Sequence, residues 1–182
     1  MNSLRLIFTG LLALIMISCT AEKNEDTAIE STVVYPDQES WNATIRITKD
    51  GNTVGLLKAG HIQKFSSTKT TLLKEGLHVD FYDEEGNHTS ILTSQGGKVL
   101  DAKQDMEAFG NVIVVSDSGL ILYTDTLKWN NKEQKIHSDI AMKIVSDEAD
   151  TLYGDSFVSD PDLTNYEIVN PRGKSSKTIK IE

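Results

Sequence analysis

Cys19 is the only cysteine in the chain, and the chemistry open to it is acylation. It ends a short apolar run, Leu6 to Ile17, that follows Arg5 and the amino terminus. That run is shorter than the roughly 20 residues of a spanning helix and has the length of a signal-peptide core. Met16-Ile17-Ser18-Cys19 then supplies an apolar, a variable and a small residue before the thiol. That order reads as a lipoprotein cleavage site, so the thiol is expected to carry the acyl chains. The remaining reactive side chains form no constellation. His61, His78, His88 and His137 lack the i, i+4 spacing of a helical metal site. His78 and His88 could meet across the Asp83-to-Asn87 turn, as a surface pair. The acidic groups Asp83-Glu84-Glu85, Asp147-Glu148 and Asp160-Pro161-Asp162 fall at turn positions without the spacing of a calcium loop. No nucleophile elbow, phosphate loop or dinucleotide fingerprint occurs. The expectation is a non-enzymatic protein with no metal and no cofactor.

The composition narrows the class further. The chain has 182 residues and a net charge of −9, and cutting before Cys19 removes Arg5 and no acid. An acidic protein is a poor partner for nucleic acid or for an anionic membrane surface. With the one thiol acylated there is no disulfide framework, so the fold must rest on packing and ladder hydrogen bonds.

Four segments follow from the patterning: a lipoprotein signal over 1–18, a flexible linker over 19–38, one domain over 39–170 and a mobile tail over 171–182. The linker is polar and aperiodic after Cys19. Between Pro36 and Pro161 there is no proline, which suits continuous sheet because proline cannot donate to a ladder. Thr44-Ile45-Arg46-Ile47-Thr48 alternates and runs into Lys49-Asp50-Gly51-Asn52, a hairpin turn. Leu77, Val79 and Phe81 share one face, and Ile140, Met142 and Ile144 repeat the pattern. No segment of the mature chain carries a helical apolar period.

The chain also repeats itself. Val115-Ser116-Asp117 recurs as Val145-Ser146-Asp147, and Leu122-Tyr123 as Leu152-Tyr153. Val112 and Val114 correspond to Met142 and Ile144, and Leu127 to Phe157, with weaker copies at Leu92 and Leu57. Each unit is a hairpin that cannot bury its apolar face alone, so neighbours must roll around a shared interior.

The segments Gly110 to Trp129, Ile136 to Ile144 and Leu152 to Ile168 resemble the LptC family, a periplasmic component of lipopolysaccharide export. The resemblance spans roughly 40–168. It implies an all-β fold, an open twisted antiparallel β-jellyroll built from repeated hairpins. It further implies that lipid A acyl chains of lipopolysaccharide pass through the interior. Val79, Phe81, Val112, Val114, Leu122, Met142, Ile144, Leu152 and Phe157 fill the apolar places of the repeat and are the expected lipid contacts. By the same resemblance the N-terminal edge, around Ile45 and Ile47, meets an inner-membrane ABC transporter. The C-terminal edge, from Phe157 through Val158 to Ile168, meets an LptA-like bridge protein.

The departure is the anchor. Well-known members keep an N-terminal transmembrane helix, where this chain has the cleavage site at Cys19. Thr20 leaves open which membrane holds the anchor, and the resemblance favours the inner one, with the domain facing the periplasm. Each enclosed methylene is worth about 0.8 kcal/mol, so full burial of a long acyl chain would hold it too tightly to release. A conduit should therefore be shallow and partly open. The competing expectation is an adaptor lipoprotein that pairs its sheet edges with envelope partners around a solid, ligand-free core.

Overall fold

The computed structural model describes residues 34–147 and 150–174. Cys19, the signal and most of the linker therefore lie outside the described residues. The described chain is entirely β: β1 (Gln38–Lys49), β2 (Asn52–Phe65), β3 (Thr70–Tyr82), β4 (His88–Ser94), β5 (Gly96–Leu100), β6 (Asp105–Ser116) and β7 (Ile121–Asn130). Six shorter strands complete it: β8 (Lys135–Ser138), β9 (Met142–Val145), β10 (Thr151–Gly154), β11 (Ser156–Ser159), β12 (Tyr166–Val169) and β13 (Arg172–Lys174). All pairings are antiparallel. The expected hairpin turn closes β1 onto β2, with Asp50 at φ 51° and Gly51 at φ 87°. Two left-handed residues in succession match the twist of the flanking strands.

One sheet becomes two leaves because the long strands change partner halfway. The front of β3 pairs with β5 and its end with β4. β6 likewise pairs first with β5 and then with β4. β7 pairs with β9 at its start and with β8 at its end. The corner is built by bulges. Glu75 and Gly76 stand opposite the single Gly60, and Gly110 and Asn111 opposite the single Asp125. Two residues facing one bend the strand and sharpen its twist. Gly60 is required there, since a Cβ at that position would lie 2.5 Å from the Glu75 carbonyl oxygen. Ladder-like bonds carry the corner across the sheet: the Gly76 amide donates to Gln95 O, and the Gln95 amide to Gly110 O.

Each leaf presents a row of small or aliphatic side chains to the interior. In the first leaf Ile45, Leu57, Val79, Leu92, Val114, Leu122, Ile144 and Leu152 are successive cross-strand neighbours. In the second leaf Ile62, Leu73, Gly97, Ala108 and Leu127 form one row, continued by Ser138, Phe157 and Ile168. The registers reproduce the sequence repeat, since Val114 faces Leu122 as Ile144 faces Leu152. Cross-strand contacts of this kind are the unit of sheet stability.

Two boundaries differ from the sequence reading. Val158 is not an edge residue: β11 is flanked by β8 on one side and β12 on the other, with Val158 opposite His137 and Glu167. The edge strand of that leaf is β12, which carries Ile168. The stretch expected as a mobile tail also begins with a strand, because Arg172 to Lys174 pair with Tyr153 to Thr151. Asp155 fixes it, accepting from Arg172 and from Asn170. The Arg172 hydrogen bond, and then that of Asn170, hold the Asp155 carboxyl below the usual carboxylate range.

Candidate functional site

Between the leaves lies a cavity of about 440 Å³, within the size range of small-ligand sites. Its walls follow from strand parity. The first leaf contributes Leu57, Leu77, Val79, Phe81, Leu92 and Val114, and the second Leu73, Met106, Ala108, Leu127, Trp129 and Ile136. The rim is polar and carries Lys49, Asp83, Glu84, Lys98 and Glu107, and the Asp160-Pro161-Asp162 loop borders the space as well. Lys49 pairs with Glu84 at 3.4 Å and Lys98 with Glu107 at 3.7 Å. The second leaf is thin where it borders this space. Gly97 and Ala108 sit side by side in a row otherwise filled by Ile62, Leu73 and Leu127. Leu77 leans over Gly97, whose added Cβ would meet its Cδ2 at 3.0 Å, whereas Ala108 borders the open volume.

The candidates named from sequence divide into two groups. Val79, Phe81 and Val114 border the cavity, and so does Ile47, which was expected to serve the edge. Leu122, Ile144 and Phe157 are fully buried in the packed core away from it. Val112 and Met142 are also buried, and back onto a shallow depression on the outer face beside Tyr123, Lys143 and Tyr153. Leu152 is half-buried, and Ile45 lies 40% exposed on the edge strand β1. Trp129 borders the cavity as well. The liners that sequence reasoning missed, Leu73, Leu77, Met106, Ala108, Leu127 and Ile136, share the inward parity of their strands. The signal that marks them is the neighbouring pair of small inward residues, Gly97 and Ala108.

The polar residues that could suggest other chemistry are committed to local structure. His78 and His88 do approach each other, but Asp80 stands between them, 3.0 Å from His78 Nε2 and 3.9 Å from His88 Nε2. His88 Nδ1 lies 2.8 Å from Asp117. The His78 hydrogen bond, with the charges of His78 and Lys58 behind it, holds Asp80 below its ordinary range. Asp83 is lowered by its hydrogen bonds from Asn87 and accepts the Glu85 amide, which makes it the organiser of its own turn. Among the described residues no group of His, Cys, Asp and Glu is arranged to hold a metal ion. Also among them, no helix is long and apolar enough to cross a membrane.

An antiparallel sheet folded on itself, with an apolar cavity between its leaves and strands paired on one side only at its ends among the described residues, is a β-jellyroll. The crystal structure of LptH from Pseudomonas aeruginosa has this fold. It is the LptA-homologous periplasmic component of the conserved lipopolysaccharide transport device, and it aligns with a TM-score of 0.50 at 12% identity. The alignment covers 70% of this chain and 95% of LptH. The model of the LptC-related family of lipopolysaccharide assembly matches residues 6–151. The chain belongs to that family, and it is a periplasmic component of lipopolysaccharide transport. The match starts inside the N-terminal apolar run and so includes Cys19. No curated protein matches the chain in sequence.

Proposed function

We propose that the protein receives lipopolysaccharide from an inner-membrane ABC transporter and passes it to an LptA-like periplasmic bridge, holding acyl chains between its two leaves. The observation that carries this reading is the cavity itself: an apolar space with a polar rim, set beside buried core residues such as Leu122, Ile144 and Phe157. A space of that size takes up part of a multi-acyl lipid and leaves the rest outside, which suits binding that must be reversed. The unpaired side of β1 supplies an interface of twelve residues, because β1 pairs only with β2 among the described strands. An open strand edge binds another strand through main-chain hydrogen bonds.

A photo-crosslinking residue at Phe81 or Trp129, tested in the native envelope, should capture lipopolysaccharide. The same residue at Lys143, whose ammonium sits 4.2 Å over the Tyr123 ring on the outer face, should not. Equal capture at all three positions, or none at any, would sink the carrier reading. The latter result leaves the adaptor that pairs edges without carrying lipid.

The tether is a separate part of the reading. Cys19 is the proposed acyl acceptor, and two or three acyl chains hold a protein on a membrane where a single chain does so only marginally. A fatty-acid analogue fed to cells should label the wild-type protein and leave Cys19→Ala unlabelled. Labelling that persists in Cys19→Ala rules out this anchor.

A further inference from the structure

One end of the cavity is closed by a loop rather than by a strand. β11 and β12 belong to the second leaf, and the loop that joins them crosses to the first. There the Ser90 hydroxyl of β4 donates to Pro161 O at 3.3 Å, and the Ser116 hydroxyl of β6 donates to Asp162 O at 2.9 Å. Both serines are buried, at 0% and 4% exposure, in positions where the rest of the leaf turns apolar residues inward. They are neighbours across the β4–β6 ladder. Asp160, Pro161 and Asp162 border the open volume. The next residue, Leu163, does not border that volume; it is completely buried in the apolar cluster to which the cavity walls also belong.

Leu163 reaches that place at φ 61°, in the left-handed region that a residue with a side chain rarely adopts. The conformation is held from several directions. The Leu163 amide donates to Asp160 O, Lys135 pairs with the Asp160 carboxylate, and Ser159 donates to Asn165 O. The Lys135 hydrogen bond, with that of Asn165, keeps Asp160 below the usual carboxylate range and so charged at neutral pH. Such a loop is a defined wall, fastened to the opposite leaf by two hydroxyl groups and to its own by an ion pair.

We propose that this loop is the end wall of the acyl-binding space, and that Leu163 is the residue that sets how long an acyl chain the interior encloses. Ser90 and Ser116 are positioning residues that hold the wall in place. The inference rests on the carrier reading above and adds a chain-length limit to it. On this proposal, truncating Leu163 opens the apolar interior behind the loop to the acyl chain. With the two serine donors removed, the wall can swing away while Leu163 keeps its identity.

The test is displacement of a fluorescent fatty acid from the detergent-solubilised full chain by saturated fatty acids of increasing length. Leu163→Ala should bind the longest chains about tenfold more tightly relative to the shortest than the wild type does. That is the worth of roughly two further enclosed methylenes. The double variant Ser90→Ala with Ser116→Ala should shift the preference the same way. It keeps the buried leucine, so it guards against a Leu163→Ala protein that fails to fold. Unchanged length preference in the double variant, with wild-type affinity for short chains, overturns the wall. A wild-type protein that binds no fatty acid of any length overturns the carrier reading and the wall together.

Discussion

Replacing Ala108 by phenylalanine is expected to weaken acyl-lipid capture by about tenfold or more, while the sheet stays folded. Ala108 is 6% exposed, and it borders the cavity between Gly97 and Leu127 on the second leaf. A benzyl group in place of the methyl would fill part of the open volume that Leu92 and Val114 also border. Each methylene the lipid can no longer enclose forfeits about 0.8 kcal/mol, so two of them already account for the tenfold loss. Adding bulk to a filled core costs about 1–3 kcal/mol, but here the added atoms enter empty space, so the unfolding midpoint in urea should barely move. Capture would be read by crosslinking from Phe81, and folding by the midpoint. A folded Ala108→Phe protein that captures lipid like the wild type would show that the acyl chain lies elsewhere.

Phe157→Ala should do the reverse, with a stability loss of about 3–5 kcal/mol, the range for truncating a buried aromatic. Phe157 is 1% exposed and does not border the cavity. It stands where three strands meet, opposite Ser138 on β8 and Ile168 on β12, with its ring 6.2 Å from that of Tyr166. The surrounding ladder bonds prevent collapse into the space left behind, so the cavity term adds to the lost transfer energy. Single domains are stable by about 5–15 kcal/mol, so this one change takes a large share of the total. Phe81→Ala removes the same atoms from a half-exposed wall and should cost less than half as much. Urea unfolding of the two variants decides the matter. Equal losses would mean that Phe157 is no more a core residue than Phe81, and that the division between cavity and core is wrong.

The strands and their faces were legible because a strand has a period of two, which is written locally. The alternation of Leu77, Val79 and Phe81 and the Asp50-Gly51 turn each involve neighbours in the chain, and each is found in the structure. The repeat was legible for the same reason, and Val112, Val114, Leu122, Met142 and Ile144 are all buried in the structure. It did not say which of them meet open space. That depends on the summed volume of side chains from two leaves, and residues that border the same space, such as Ala108 and Leu92, are brought together only by the fold. Hence Val79, Phe81 and Val114 border the cavity while Leu122, Ile144 and Phe157 are sealed in the core.

The corner was illegible for a different reason. Two of its bulge residues, Glu75 at φ 61° and Asn111 at φ 50°, are ordinary side chains held in the left-handed region by the ladders on either side. Edges were misread too, since neither alternation nor proline spacing around Val158 reveals that β12 returns to cover it, nor that Arg172 finds Asp155. The amino-acid sequence by itself determined an all-β chain of repeated hairpins, each with one apolar face, because hydrophobic period and turn chemistry are local. Only the tertiary structure decided where the sheet folds, which strands end it and where the interior stays empty, because those depend on bulges, partner exchange and packing between residues far apart in the chain.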